Sequence, residues 1–240
     1  MTKILQINDL TYRKNNQTIL KNVNLSLDKG HFVGLAGANG AGKTTLMRLI
    51  VGVAKGYQGG IVVNGQPADV ARKSFVSYSD ELRGFKDSTS IKDIQLFYRL
   101  VYPDFDSERY QELAEFLNLT GTKRLGSLSK GMRERLMIAL TLARKAPLYL
   151  LDEPFSGIDV MSRKKIVRGM LNWVDQSSTV IISSHHLEEI TNILDTLVII
   201  KDQTIFDCRS TDELVEQEHC SVEEYFESIY DTLPEDDVQK

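Results

Sequence analysis

The segment GANGAGKT, residues 37–44, restricts this chain more than any other stretch. It lies between FVGLA, which reads as a strand, and TTLMRLIVGV, whose apolar pattern suits a buried helix over about residues 44–53. Glycines let backbone N–H groups turn inward without a Cβ in the way. The start of the following helix adds partial positive charge to those donors. One lysine beside so much bare backbone fits an anion, and G-x-x-x-x-G-K-[ST] between a strand and a helix reads as a phosphate-binding loop. On that reading Gly37, Ala38, Asn39, Gly40, Ala41, Gly42, Lys43, Thr44 and Thr45 surround a nucleotide's phosphates. Lys43 reaches the β- and γ-phosphates and the Thr44 hydroxyl is a Mg²⁺ ligand. The competing reading is a glycine-rich turn with a chance lysine.

A phosphate loop alone leaves kinases, GTPases, ATPases and helicases open. The acidic partner narrows the choice. LYLLDEP, residues 148–154, is an apolar strand ending in Asp152 and Glu153. Asp152 holds Mg²⁺ through its water shell, and Glu153, one residue on and directed elsewhere, polarises the water that attacks the γ-phosphate. Otherwise the two carboxylates merely cap a strand end.

The layout around these motifs is that of an α/β protein. Residues 4–35 alternate as strands with Asn, Gly and Asp breaks, and GGIVVNG is a short strand between turns. Apolar residues recur at helical spacing from about 91 to 144. Strands return at 147–153 and 178–186, their apolar runs indicating burial on both faces. Helices are expected at 159–176 and 187–194, then a hairpin in TLVIIKDQTIFD, then an acidic tail, helical at first, from Thr211. This order implies one domain over residues 1–225 with a helical subdomain at about 85–145, and an acidic C-terminal tail at 226–240. The net charge of −4 argues against a general nucleic-acid binder, so no direct nucleic-acid contact is expected. Cys208 and Cys220 form no C-x-x-C and read as free thiols in a reducing compartment. The N-terminus has no signal-peptide pattern, and no apolar run approaches the roughly 20 residues that span a bilayer. Work at a membrane would need another chain to supply the span.

Five further elements follow in order, and with them the chain resembles an ABC-type ATPase subunit over roughly residues 3–225. LSKGM, residues 128–132, resembles the family's LSGGQ signature; Ser129 and Gly131 match, while Lys130 and Met132 replace a glycine and a glutamine. FSGID, residues 155–159, looks like the D-loop, and His185 in IISSHH like the H-loop histidine. Glu81 in YSDE stands in the Q-loop region where the family has glutamine. Tyr12 is the candidate adenine-stacking aromatic, about two residues early. Lys130 reads equally as a surface charge or a phosphate-side group, and Arg133 and Arg135 as a solvated helix face. The resemblance implies a P-loop NTPase core of mixed sheet and helices, an N-terminal antiparallel β subdomain and an inserted α-helical subdomain. It also implies ATP with Mg²⁺ bound by Thr44, Asp152 and Glu81, catalysis by Glu153 and His185, and binding by Tyr12, the loop, Ser129 and Gly131. Two such subunits, identical or different, would meet head to tail, each ATP lying between the loop of one and the signature of the other. A separate transmembrane permease would hold the chain on the cytoplasmic face of the membrane. The segment FYRLVYPDFDSERYQELAEFLNL with LSKGMRERLMIAL is similar to bacterial ABC-2-like exporter subunits of the group linked to GntR-type repressors, which implies peptide export. A soluble ABC-type ATPase acting on ribosomes or nucleic acid is the alternative. LSKGM, FSGID and SSHH have no task in a small-molecule kinase.

Overall fold

In the computed structural model, which describes residues 2–79, 82, 84–119, 121–184 and 187–231, period-two alternation builds the sheets. β1 (Lys3–Lys14) and β2 (Gln17–Asp28) form an antiparallel hairpin. Asn15 and Asn16 turn it with φ of 50° and 63°, a pair asparagine tolerates. β4 (Gln58–Val63) adds to the other edge of β1, giving the order β2-β1-β4. This is the expected antiparallel subdomain.

The second sheet has the order β5 (Val76–Tyr78), β6 (Leu148–Asp152), β7 (Thr179–Ser183), β3 (Phe32–Ala36), β8 (Thr196–Lys201) and β9 (Thr204–Ser210). Its pairings are parallel except the β8–β9 hairpin. Alternate residues of its strands enter different cores. Leu35, Leu148, Leu150, Ile181 and Val198 pack with the antiparallel sheet and α1 (Lys43–Ile50). Tyr149, Leu151, Val180, Ile182 and Ile199 pack against the helices on the opposite face. A sheet covered on both sides accounts for the unbroken apolar runs.

The inserted helices are α3 (Ile91–Val101), α4 (Ser107–Phe116) and α5 (Lys130–Leu142). Side chains cap each start: Ser90 with Asp93 in a capping box, Asp106 over the Glu108 and Arg109 N–H groups, and Ser129 over Met132 N–H. Arg144, buried, fastens this unit to the sheet. It donates to Asp104 and to the Val76 carbonyl (2.8 Å) and lies over the Tyr102 ring.

Three expectations change. Residues 187–194 form 3₁₀ turns at Leu187–Glu189 and Thr191–Ile193, not one helix. Ile190 is fully buried, and the Thr191 hydroxyl donates to the Leu187 carbonyl and contacts Glu223, which holds the segment tight. α6 (Val160–Trp173) stops short of 176 because Val174 takes an extended backbone. The boundary expected at 225 falls inside α8 (Val222–Asp231), which follows α7 (Thr211–Glu218) and buries Val222 and Ile229 in the helical-side core. A short helix, α2 (Asp69–Arg72), was not legible in the pattern.

Candidate active site

The carboxyl ends of the parallel strands share one level: Leu35 of β3 and Asp152 of β6 both pair with Ser183 of β7. Ligands of open α/β sheets gather at such an edge. The loop after β3 supplies the donors. Gly37 is buried, and a Cβ there would lie 2.7 Å from the Ile200 carbonyl oxygen, so only glycine fits. Gly42 has φ 110° and its Cβ would meet Leu20 at 2.9 Å, so the loop is pressed against β2. Ala38, Asn39, Gly40 and Thr44 are exposed, and nothing stands within 4 Å of a Cβ at Gly40. Ala41 and Thr45 are half-buried, and Ala41 N–H donates to the Ala38 carbonyl.

Lys43, the first residue of α1, is only 7% exposed. Its Nζ donates to the carbonyls of Gly37 (2.7 Å) and Ala38 (3.3 Å) and stands 3.9 Å from a Glu153 carboxylate oxygen. Burial lowers its pKa from the ordinary lysine value, while the charges of Glu153 and Asp152 pull it back up. The cation and both carboxylates therefore share one site.

Ser183 orders the two acids. Its hydroxyl donates to Asp152 Oδ1 (2.6 Å) and accepts from Glu153 N–H (2.9 Å). Asp152 N–H in turn donates to the Ser79 hydroxyl at 2.9 Å. Glu153 has φ 46°, a left-handed value costly for a non-glycine residue, and the turn gives its side chain a direction that strand alternation would not. Neither serine was singled out from the sequence, since a hydroxyl closing an apolar run carries no local signal. Glu81 and His185 lie outside the described residues.

Tyr12 is half-buried on β1, paired across the hairpin with Leu20, whose side chain a Cβ on Gly42 would meet. Ser129 and Gly131 form a second group at the start of α5. A Cβ on Gly131 would lie 2.5 Å from the Gly157 carbonyl oxygen, so the signature-like turn packs on the 155–159 turn. Lys130 binds that same turn, donating to the Ser156 hydroxyl at 2.7 Å. Arg135 is no solvated face: it reaches Asp159 (3.4 Å) and Ser162 (3.2 Å) at the start of α6. Arg133, 43% exposed, pairs with Asp87 at 3.7 Å.

The family model described as "ABC transporter" matches residues 20–156, more than half of the chain. The chain belongs to the ABC transporter family. It is 30% identical over 219 residues to the ABC transporter ATP-binding protein YtrB of Bacillus subtilis, covering 89% of this chain and 74% of YtrB. It is 29% identical over 206 residues to the SkfA peptide export ATP-binding protein SkfE of Bacillus subtilis, covering 83% and 86%. A solved ATP binding subunit of an ABC transporter shares the fold, with a TM-score of 0.83 at 23% identity over 95% of this chain and 99% of that one. The chain is therefore the ATP-binding subunit of a transporter and an ATPase, with the P-loop NTPase cassette fold. Among the described residues no helix is long and apolar enough to cross a membrane.

Proposed function

We propose that this subunit energises an exporter from the cytoplasmic face of the membrane, by ATP-dependent head-to-tail pairing and hydrolysis. The observation that carries the reading is the convergence of Lys43, Asp152 and Glu153 beside the glycine loop. The loop N–H groups and the α1 N-terminus would bind the phosphates, and Lys43 would hold the β- and γ-oxygens. Glu153 would accept a proton from, or polarise, the attacking water, with His185 at the γ-phosphate. Tyr12 would stack on the adenine. Hard oxygen donors suit Mg²⁺, and the Thr44 hydroxyl, the Asp152 carboxylate oriented by Ser183, and Glu81 would hold it. When bound it would neutralise phosphate charge.

Gly131 sits on the 155–159 turn and Ser129 caps the same helix start, where both would complete the ATP site of a second subunit. The Lys130–Ser156 bond would tie the signature to the D-loop in place of the missing glycine contact. A groove of about 770 Å³ runs between the sheet and α3, lined by Val53, Val70, Tyr78, Phe97 and Tyr102. Its exposed Val70 (76%) and Phe97 (46%) support docking of an apolar helix of a permease. Export is supported by the sequence resemblance over residues 97–140 and by the printed role of SkfE.

The test is light scattering on size-exclusion chromatography of Glu153→Gln, with and without Mg-ATP. A shift to dimer is expected with ATP. A monomer carrying bound ATP would refute self-pairing. Reconstitution with the co-purified permease in vesicles would then refute export if substrate moved inward, toward the ATPase.

A further inference from the structure

α8 is held along its length. Glu223 contacts Thr191, and the Tyr225 hydroxyl donates to Asp207 at 2.6 Å. Lys201 Nζ donates to the Ile229 carbonyl at 2.6 Å. These bonds bring Tyr230 to the loop at residues 37–45. Its ring packs on Phe226 (centroids 5.1 Å apart) and beneath Lys201 Nζ (5.4 Å). Its hydroxyl donates to the Ile200 carbonyl (3.2 Å) and accepts from Ala38 N–H (3.1 Å).

The accepted N–H belongs to the peptide between Gly37 and Ala38. The carbonyl of that same peptide, Gly37 C=O, accepts from Lys43 Nζ at 2.7 Å. In a trans peptide these two groups are rigidly coplanar and point in opposite directions. One plane is thus held on one side by Tyr230 and holds Lys43 on the other. Rotating the peptide would break both bonds together. Ile200 restricts it further, because its carbonyl oxygen takes the Tyr230 hydroxyl and also closes the space beside Gly37.

We infer that Tyr230 is a positioning residue of the nucleotide site: its hydroxyl, acting through the Gly37–Ala38 peptide, sets where the Lys43 ammonium stands. The inference rests on the reading of residues 37–45 as the nucleotide site. The ATP affinity of the N-terminal loop is thereby coupled to a helix at the far end of the chain. By reciprocity, bound nucleotide favours the docked helix.

The test compares the full-length parent with Tyr230→Phe, which keeps the ring contacts and deletes only the hydroxyl. ATP affinity is read by calorimetry with Mg²⁺ present, and steady-state hydrolysis is measured alongside. ATP binding is expected to weaken about three- to tenfold, the range of the one hydrogen bond that the Gly37–Ala38 peptide loses. KM should rise with it and kcat should stay within about twofold, because Glu153 is untouched. The melting midpoint without nucleotide should fall by no more than about 2–4 °C, since water can take the N–H of exposed Ala38 and only the Ile200 carbonyl loses a donor in a buried setting. Affinity equal to the parent's would overturn the inference alone. So would a loss accompanied by a fall of about 10 °C or more in the nucleotide-free midpoint, beyond what the Ile200 bond accounts for, which would assign the effect to helix docking and not to the hydroxyl. A parent that binds no ATP would overturn the site reading and this inference with it.

Discussion

Arg72→Met tests the anchor of the phosphate-loop helix. Arg72 is fully buried, yet its guanidinium is saturated. Nε donates to Ile50 O at 3.1 Å; one terminal nitrogen donates to Ile61 O and Pro67 O (2.9 Å each) and to the Tyr57 hydroxyl (3.2 Å). The other donates to Leu49 O at 3.0 Å and pairs with Asp69 at 2.6 Å. The Leu49 and Ile50 carbonyls end α1, so a cation there also opposes the negative end of the helix dipole. Methionine keeps the volume but offers no donor. Leu49 O would keep its bond from Gly52 N–H (3.1 Å), and the Asp69 side chain, 28% exposed, would be hydrated. Ile50 O loses its guanidinium donor in a buried setting, at about 1–3 kcal/mol, and the other broken bonds add about 1 kcal/mol each at most. Apolar contacts of methionine return part, leaving about 3–5 kcal/mol, as when one partner of a buried pair is removed. Against a typical total of about 5–15 kcal/mol that is a large share. At about 2–4 °C per kcal/mol the melting midpoint should fall by about 10 °C. Urea denaturation followed by circular dichroism measures the change. Arg72→Lys should recover less than half, because an ammonium lacks the planar fork. A loss under about 1 kcal/mol for methionine, or full recovery with lysine, would refute the reasoning.

Glu153→Gln should bind ATP with near-parental affinity and hydrolyse it at least about a hundredfold more slowly, as loss of a general base requires; near-parental turnover in a phosphate-release assay would sink that role. Lys43→Ala should weaken ATP binding at least about tenfold by removing the buried cation, and unchanged affinity by calorimetry would count against the loop reading. Gly131→Ala would place a Cβ 2.5 Å from the Gly157 backbone oxygen, so the 128–132 and 155–159 turns must separate. ATP-dependent dimerisation on light scattering should then fail while monomer affinity for ATP stays within about twofold; intact dimerisation would show that the contact has no part in pairing.

Contiguous chemistry made much of this protein readable before folding. The loop at 37–44, the strand ending in Asp152 and Glu153, and the turns at 128–132 and 155–159 each carry their residues within a few positions. Their helices and strands follow from period and caps. Unbroken apolar runs likewise announced a sheet buried on both faces. Lys130 and Arg135 show where this stops: their neighbours in sequence left Lys130 open between a surface charge and a phosphate-side group and gave Arg135 a surface reading, but the packing of α5 on the 155–159 turn brings Ser156 and Asp159 to them. Arg72, Ser183 and Tyr230 were missed for the same reason. Their partners are 22, 31 and 192 positions away, at Ile50, Asp152 and Ala38, and no periodicity records a pairing that exists only once strands and helices have docked. A polar side chain near an apolar run reads as a boundary, whereas burial obliges it to find a specific partner. Short-range pattern thus declared the elements and the family motifs. The choice of partners that hold Lys43, Asp152 and α1 in place belonged to the packed chain, because desolvation makes those bonds obligatory only after the cores close.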